Sequence, residues 1–306
     1  MEIARRLLRT LAVLWLAVTL AFFALRILPG DALQTQLIQS GASTATIAQR
    51  RAALGLDQPV LTQYGDFLVR LTRGDLGVSL LDGRPVSEII AQQALPTITL
   101  ALAALVIAVL LGAVLGITAA AARRRWLAQS ARRILDLALS VPLYWSGTLA
   151  VFLFAVFLDW LPSSGAGDLR HLLLPAALLG FHTAGAIGQM VRSSVSQTLG
   201  ADFVRYARAK GLPERLVIGR HVLRASLAPV ISVVALQAGF LLSGVVITES
   251  LFVRPGLGRV LLDATLQQNY PVVQGIVIWS ALVYALANGA ADILIAVIDP
   301  RVKGSG

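Results

Sequence analysis

Long runs without Asp, Glu, Lys or Arg alternate along the chain with clusters of charge. Such runs cover 10–25, 89–122, 137–158, 171–191, 225–248 and 264–291. A bilayer core about 30 Å thick takes roughly 20 apolar helical residues. The pattern therefore predicts six transmembrane helices, at about 8–28, 95–121, 134–158, 171–191, 226–248 and 272–297. The 89–122 run exceeds one span, and Leu95-Pro96 is where its helix is expected to start. A β-barrel is excluded, because its strands are about 10 residues long with alternating polarity. The expected fold class is an all-α membrane protein, a single transmembrane domain over 1–306.

Two connections between the spans stand out. The external segment 29–94 carries turn signals at Pro29-Gly30-Asp31, Asp57-Gln58-Pro59, Arg73-Gly74-Asp75 and Asp82-Gly83-Arg84-Pro85. Its scattered apolar residues predict short helices packed on the membrane rather than an independent core. The connection 192–225 is too long for a turn and too polar for lipid. Within it, Asp202 to Lys210 alternates apolar and basic residues at helical spacing, Phe203 and Ala207 against Arg205 and Arg208. Gly211 offers a helix stop, and Pro213 suits the first turn of a second helix. This helix–turn–helix is either an amphipathic pair lying on anionic lipid or a docking surface for a cytoplasmic partner.

Composition agrees with the hydropathy pattern. The chain is 57% hydrophobic and 14% charged, against about 25% charged for a soluble domain, and its mean hydropathy is +0.76. It cannot clothe a water-facing surface of its own size, which excludes a soluble enzyme. Net charge is +10. With the N-terminus inside, 17 basic residues fall in cytoplasmic segments, 8 in external ones, and Arg26 at a boundary. The positive-inside rule then puts both termini in the cytoplasm, and topology accounts for the basic surplus without nucleic acid. The Arg-flanked N-terminus resembles a secretory signal but lacks a small-x-small cleavage site, so it is read as a retained helix.

Candidate chemistry is sparse. No G-x-x-x-x-G-K-[ST] is present, so ATP-driven work requires another subunit. The absence of Cys removes thiol and disulfide chemistry, and His171, His182 and His221 do not have zinc-site spacing. Ser146-Gly147 lies in the third span outside any G-x-S-x-G motif, and its surrounding sequence offers no His or Lys partner. Glu249 and Asp292, with Asn288 one turn earlier, are the ionisable and polar residues closest to lipid. Each charge at mid-bilayer costs at least about 2.5 kcal/mol. They are candidates for lining a pathway, or for anchoring helix ends and pairing with a basic neighbour. Proton relays present more acids, at greater depth, which argues against a proton-coupled carrier. Gly112 and Gly116 form a G-x-x-x-G on the second span, a candidate for close helix packing.

Val204-Arg205-Tyr206-Ala207-Arg208-Ala209-Lys210-Gly211-Leu212, followed by Arg220-His221-Val222-Leu223-Arg224 and Pro229, resembles the cytoplasmic "EAA" loop of ABC-importer permeases. The resemblance is to the branch that imports dipeptides, oligopeptides and nickel. It extends through Leu54-Gly55-Leu56-Asp57-Gln58-Pro59 with Gln63-Tyr64, and Gly74-Asp75-Leu76-Gly77 with Ser79. It continues through Pro255-Gly256-Leu257-Gly258-Arg259, Tyr270-Pro271-Val272-Val273-Gln274-Gly275 and Asp299-Pro300-Arg301. Two departures appear: Arg205-Tyr206-Ala207 stands where the broad pattern has Glu-Ala-Ala, and Ala228 precedes Pro229 where Leu is usual.

The resemblance implies the type I permease fold in a bacterial or archaeal cytoplasmic (inner) membrane. It implies as partners a second homologous permease, two cytoplasmic ATPases and an extracytoplasmic solute-binding protein, beside membrane lipid. No cofactor is expected on this chain, with ATP and Mg on the partner subunits. Residues 200–212 would couple to the ATPases, with Asp202, Arg205, Tyr206, Ala207, Lys210, Gly211 and Leu212 as the site.

Overall fold

A computed structural model of the chain describes the backbone of residues 2–27, 43–53, 55–243 and 245–298. The side chains of 2–10, 25, 27, 47, 50, 291, 292 and 294–298 lie outside that description, as do the turn at Pro29 and the motif at Asp299. The described elements are helices, joined in one loop by an isolated bridge between Val78 and Pro85. Four are long and apolar enough to cross a membrane: Val86–Ala121 (α4), Leu169–Leu199 (α7), Glu214–Leu242 (α9) and Tyr270–Ala290. The last is part of α12, Tyr270–Ile298. A bent pair, Arg125–Ser140 (α5) and Leu143–Phe157 (α6), makes up a further span if counted as one. The first helix, α1 (Glu2–Ile27), holds a shorter apolar stretch, Leu11–Ala24.

Three expected boundaries change. The second helix begins at Val86, not near Leu95, and Pro96 lies inside it, as membrane helices permit when neighbours re-satisfy the freed carbonyl. At about 1.5 Å per residue its 36 residues exceed a bilayer core. The third span, expected as one helix over 134–158, bends by 102° between Ser140 and Leu143. Pro142 is the cause: it has no N–H, and its ring pushes Val141 out of the helical region, to φ −83°, ψ 128°. The fifth span ends at Leu242, and 246–251 forms a separate helix, α10 (Val246–Leu251).

The chain divides into two compact units. One comprises 1–96 and 255–282, the other 97–254 and 283–306. In the first, α2 (Thr44–Ala53) and α3 (Val60–Thr72) are short helices within 29–94. Phe22 of α1 stacks on Phe67 of α3, with ring centroids 5.3 Å apart. The Arg26 guanidinium donates to Gln63 Oε1 at 3.0 and 3.3 Å and lies 3.5 Å over the Phe22 ring. A second cluster gathers Val86, Leu257 and Ala264 of α11 (Leu257–Leu266), and Val272, Val273 and Ile276. Asn269 ties the loop before α4 to this cluster, accepting from the Leu80 N–H at 3.1 Å and donating to Ser79 Oγ at 2.9 Å.

In the second unit α7 is the central element, and small residues let it approach its neighbours. A Cβ built on Gly112 would lie 3.1 Å from the Ala184 carbonyl oxygen, and one on Gly116 2.6 Å from that of Gly188. The G-x-x-x-G is therefore a true packing face of α4 against α7. Gly116→Leu should destabilise the detergent-solubilised chain by about 3 kcal/mol, because backbone cannot yield as a side chain would. Gly289→Leu, where no atom lies within 4 Å of a built Cβ, should leave the melting temperature nearly unchanged.

Candidate functional site

The connection between α7 and α9 is shorter than expected, because α7 runs on to Leu199 and α9 starts at Glu214. It contains one short helix, α8 (Asp202–Ala209). Asp202 in its first turn and Arg208 in its last both oppose the helix dipole. Val204 and Ala207 are buried, and join Val191, Val195, Val217 and Val222 in one cluster against which Leu212 packs. This corrects the expected apolar pair. Ala207 faces inward with Val204, whereas Phe203 is 48% and Tyr206 64% exposed.

The outward face is aromatic and cationic. Arg205 lies 3.6 Å from Asp202, both exposed, so the pair contributes little stability. Lys210 Nζ sits 4.7 Å over the Tyr206 ring, a geometry that presents charge and aromatic surface together. The exit is a Schellman motif: the Gly211 N–H donates to the Arg208 carbonyl at 2.9 Å and the Leu212 N–H to that of Ala207 at 3.4 Å. Gly211 has φ +75°. Arg208 then clamps Glu214 across the exit with two hydrogen bonds, at 2.6 and 3.2 Å.

The space around Gly211 is open, so a substitution there acts through backbone conformation alone. An L-residue with that φ costs roughly 1–2 kcal/mol, less for Asn. Gly211→Ala should lower uptake per inserted molecule several-fold, and Gly211→Asn should retain more. Substrate uptake normalised to membrane abundance checks the ranking.

The other candidates lie apart from α8 in the chain. Glu249 sits on α10 and is fully buried, and its Oε1 accepts from Thr97 Oγ1 at 2.6 Å. Its backbone carbonyl accepts from the Arg254 N–H at 2.8 Å. Arg254 in turn donates from Nη1 to the His171 carbonyl at 3.2 Å. Burial lowers the pKa of the Arg254 guanidinium from its ordinary value, and the nearby Glu249 charge opposes that. Val253 between them has φ +48°, which is strained for a β-branched residue. Asn288 donates to the Tyr284 carbonyl of its own helix at 2.9 Å. The side chain of Asp292 lies outside the described residues. Ser146 does have a histidine partner: its Oγ lies 2.8 Å from His182 Nε2. The 36 residues between them concealed this from the sequence.

Residues 112–304 match the family described as binding-protein-dependent transport system inner membrane component, and residues 2–103 match its N-terminal membrane component. The chain belongs to this family. It is 38% identical over 302 residues to the glutathione transport system permease protein GsiC of Salmonella typhimurium, covering 98% of each chain. It is 37% identical to a putative peptide transport system permease protein of Brucella abortus, again over 98% of each. Among solved structures, it resembles a chain of the MetNI methionine ABC transporter in an inward-facing conformation, with a TM-score of 0.60 at 13% identity. That match covers 70% of this chain and 97% of the other. A chain of an amino acid ABC transporter gives 0.51 at 12% identity, covering 70% and 94%.

This permease is thus a multi-pass inner-membrane component of an ABC importer. The candidate site in this permease is the outward face of α8, with Phe203, Tyr206 and Lys210. Sequence reading missed the inward role of Val204 and the outward role of Phe203. Both follow from three-residue spacing, Val204 with Ala207 and Phe203 with Tyr206, and not from the four-residue pair Phe203/Ala207.

Proposed function

We propose that the permease forms half of the translocation pathway of an ATP-driven importer for di- or oligopeptides, or for a related small solute such as glutathione or a nickel chelate. It works with a second homologous permease, two cytoplasmic ATPases that carry ATP and Mg, and an extracytoplasmic solute-binding protein. The chain crosses the membrane six times with both termini cytoplasmic, and catalyses no covalent step. Residues 200–212 transmit ATPase motion to α7 and α9.

One observation carries this reading. Helix α8 is anchored on one face by Val204 and Ala207 while the other presents Phe203, Tyr206 and Lys210. A rigid amphipathic knob with exposed aromatic anchors is what a receiving groove needs. The capped exit at Gly211 and the Arg208–Glu214 clamp make α8 move with α9 rather than swing freely. The peptide-class substrate rests on the names of the relatives.

The test is affinity purification of the tagged chain from its native membrane in mild detergent, with mass spectrometry and an ATPase assay of the eluate. Recovery of a second permease and nucleotide-hydrolysing subunits supports the proposal. A chain that purifies alone and transports in liposomes without ATP overturns it.

A further inference from the structure

We propose that His182 is a positioning residue that holds the broken span α5–α6 in its bent form, by bonding one arm at the Ala138 carbonyl and the other at the Ser146 hydroxyl. In an unbroken helix the carbonyl of Ala138 would accept from the N–H of residue 142. Residue 142 is Pro and has no N–H, so the bend leaves that carbonyl without its helical donor. His182 Nδ1 lies 2.9 Å from it. A carbonyl only accepts, so Nδ1 carries the proton. In the neutral ring Nε2 is then bare, and it takes the Ser146 hydroxyl at 2.8 Å. One imidazole thus spans the break, with a nitrogen committed to each arm.

The approach of α7 makes this reach available. A Cβ on Gly185, three residues beyond His182, would meet Leu139 Cγ at 2.8 Å and Ala138 Cβ at 3.2 Å, so a larger residue there would push the helix off α5. The two bonds are not equivalent. Ser146 also has the carbonyls of Pro142 and Leu143 of its own chain segment at 3.1 Å, and turns to them if His182 is removed. Ala138 has no such second choice within its helix. The order of effects is therefore His182→Leu worst, Ser146→Ala mild, and His182→Asn nearly neutral, since the Asn amide places an N–H near the Nδ1 position.

The test uses the assembled transporter reconstituted in proteoliposomes, where both the distance and uptake are read. The chain has no Cys, so spin labels on Gln129→Cys and Thr148→Cys report the distance across the bend without altering any native cysteine. His182→Leu should broaden that distance distribution. It should also lower maximal uptake about tenfold at unchanged substrate KM, the scale of one buried carbonyl left unpaired. Pro142→Ala restores the missing N–H, so His182→Leu added to Pro142→Ala should cost no more than about twofold. Where His182→Leu alone fails to reach the membrane, recovery of its level by Pro142→Ala supports the proposal, and no recovery overturns it. Equal loss in both backgrounds, or unchanged distances and uptake, also overturns it. The distance measurement does not depend on ATPase docking, so its failure is separable from failure of the coupling proposal.

Discussion

Replacing Phe203 and Tyr206 together by Asp is expected to lower ATP-dependent uptake by roughly a hundredfold, the scale of losing two aromatic anchors from an interface, while the chain still inserts at normal abundance. The reason is the division of labour on α8. Both rings are exposed, so their removal leaves the fold intact and acts only on whatever receives them. Ala207→Asp is expected to behave differently. It puts a carboxylate among Val204, Val217 and Val222, where no partner satisfies it, so the loss should appear as reduced membrane abundance. Uptake, ATP hydrolysis and quantitative immunoblotting on the same vesicles separate the outcomes. Equal abundance losses in both variants would contradict the assigned orientation of α8.

The second large effect is expected at Glu249. Its carboxyl group is fully buried and takes a short hydrogen bond from Thr97, with the buried Arg254 guanidinium close enough to feel its charge. Glu249→Leu leaves the Thr97 hydroxyl without this acceptor and the buried Arg254 charge without the nearby opposite charge, a loss of about 3–5 kcal/mol. Glu249→Gln keeps an oxygen toward Thr97 and should lose roughly half as much. Thermal melting of the monodisperse detergent-purified chain checks the ranking. If Glu249→Gln abolished uptake without lowering the melting temperature, and uptake followed a proton gradient, Glu249 would belong to a transport pathway instead of an anchor.

Much of the fold was legible because lipid simplifies the reading. Uncharged runs marked the helices, and the order Asp202, Phe203, Arg205, Arg208, Gly211, Pro213 marked a short capped helix between two long ones. What the sequence concealed was set by tertiary contact. Pro142 signalled a helix start or a kink, but a bend of 102° depends on α7 being there to hold both arms. Pro96 carries the same local signal, yet α4 continues through it. Glu249 read as a helix end at the outer boundary, because its hydrogen-bond donor Thr97 lies 152 residues away in the chain. The inward face of α8 was misread by one residue, since an eight-residue helix holds barely two turns from which to choose a face.

The most direct test of the coupling claim exploits the cysteine-free chain. Single cysteines introduced as Phe203→Cys, Tyr206→Cys and Ala207→Cys are labelled in native membranes with a short maleimide–diazirine cross-linker, whose photoactivated end needs no thiol on the partner, and adducts are identified by mass spectrometry. The account predicts adducts to a nucleotide-hydrolysing subunit from positions 203 and 206 and none from 207, with 206 cross-linking blocking uptake. Adducts from 207 alone, or none from 203 and 206 while the subunit co-purifies with the permease, would contradict it.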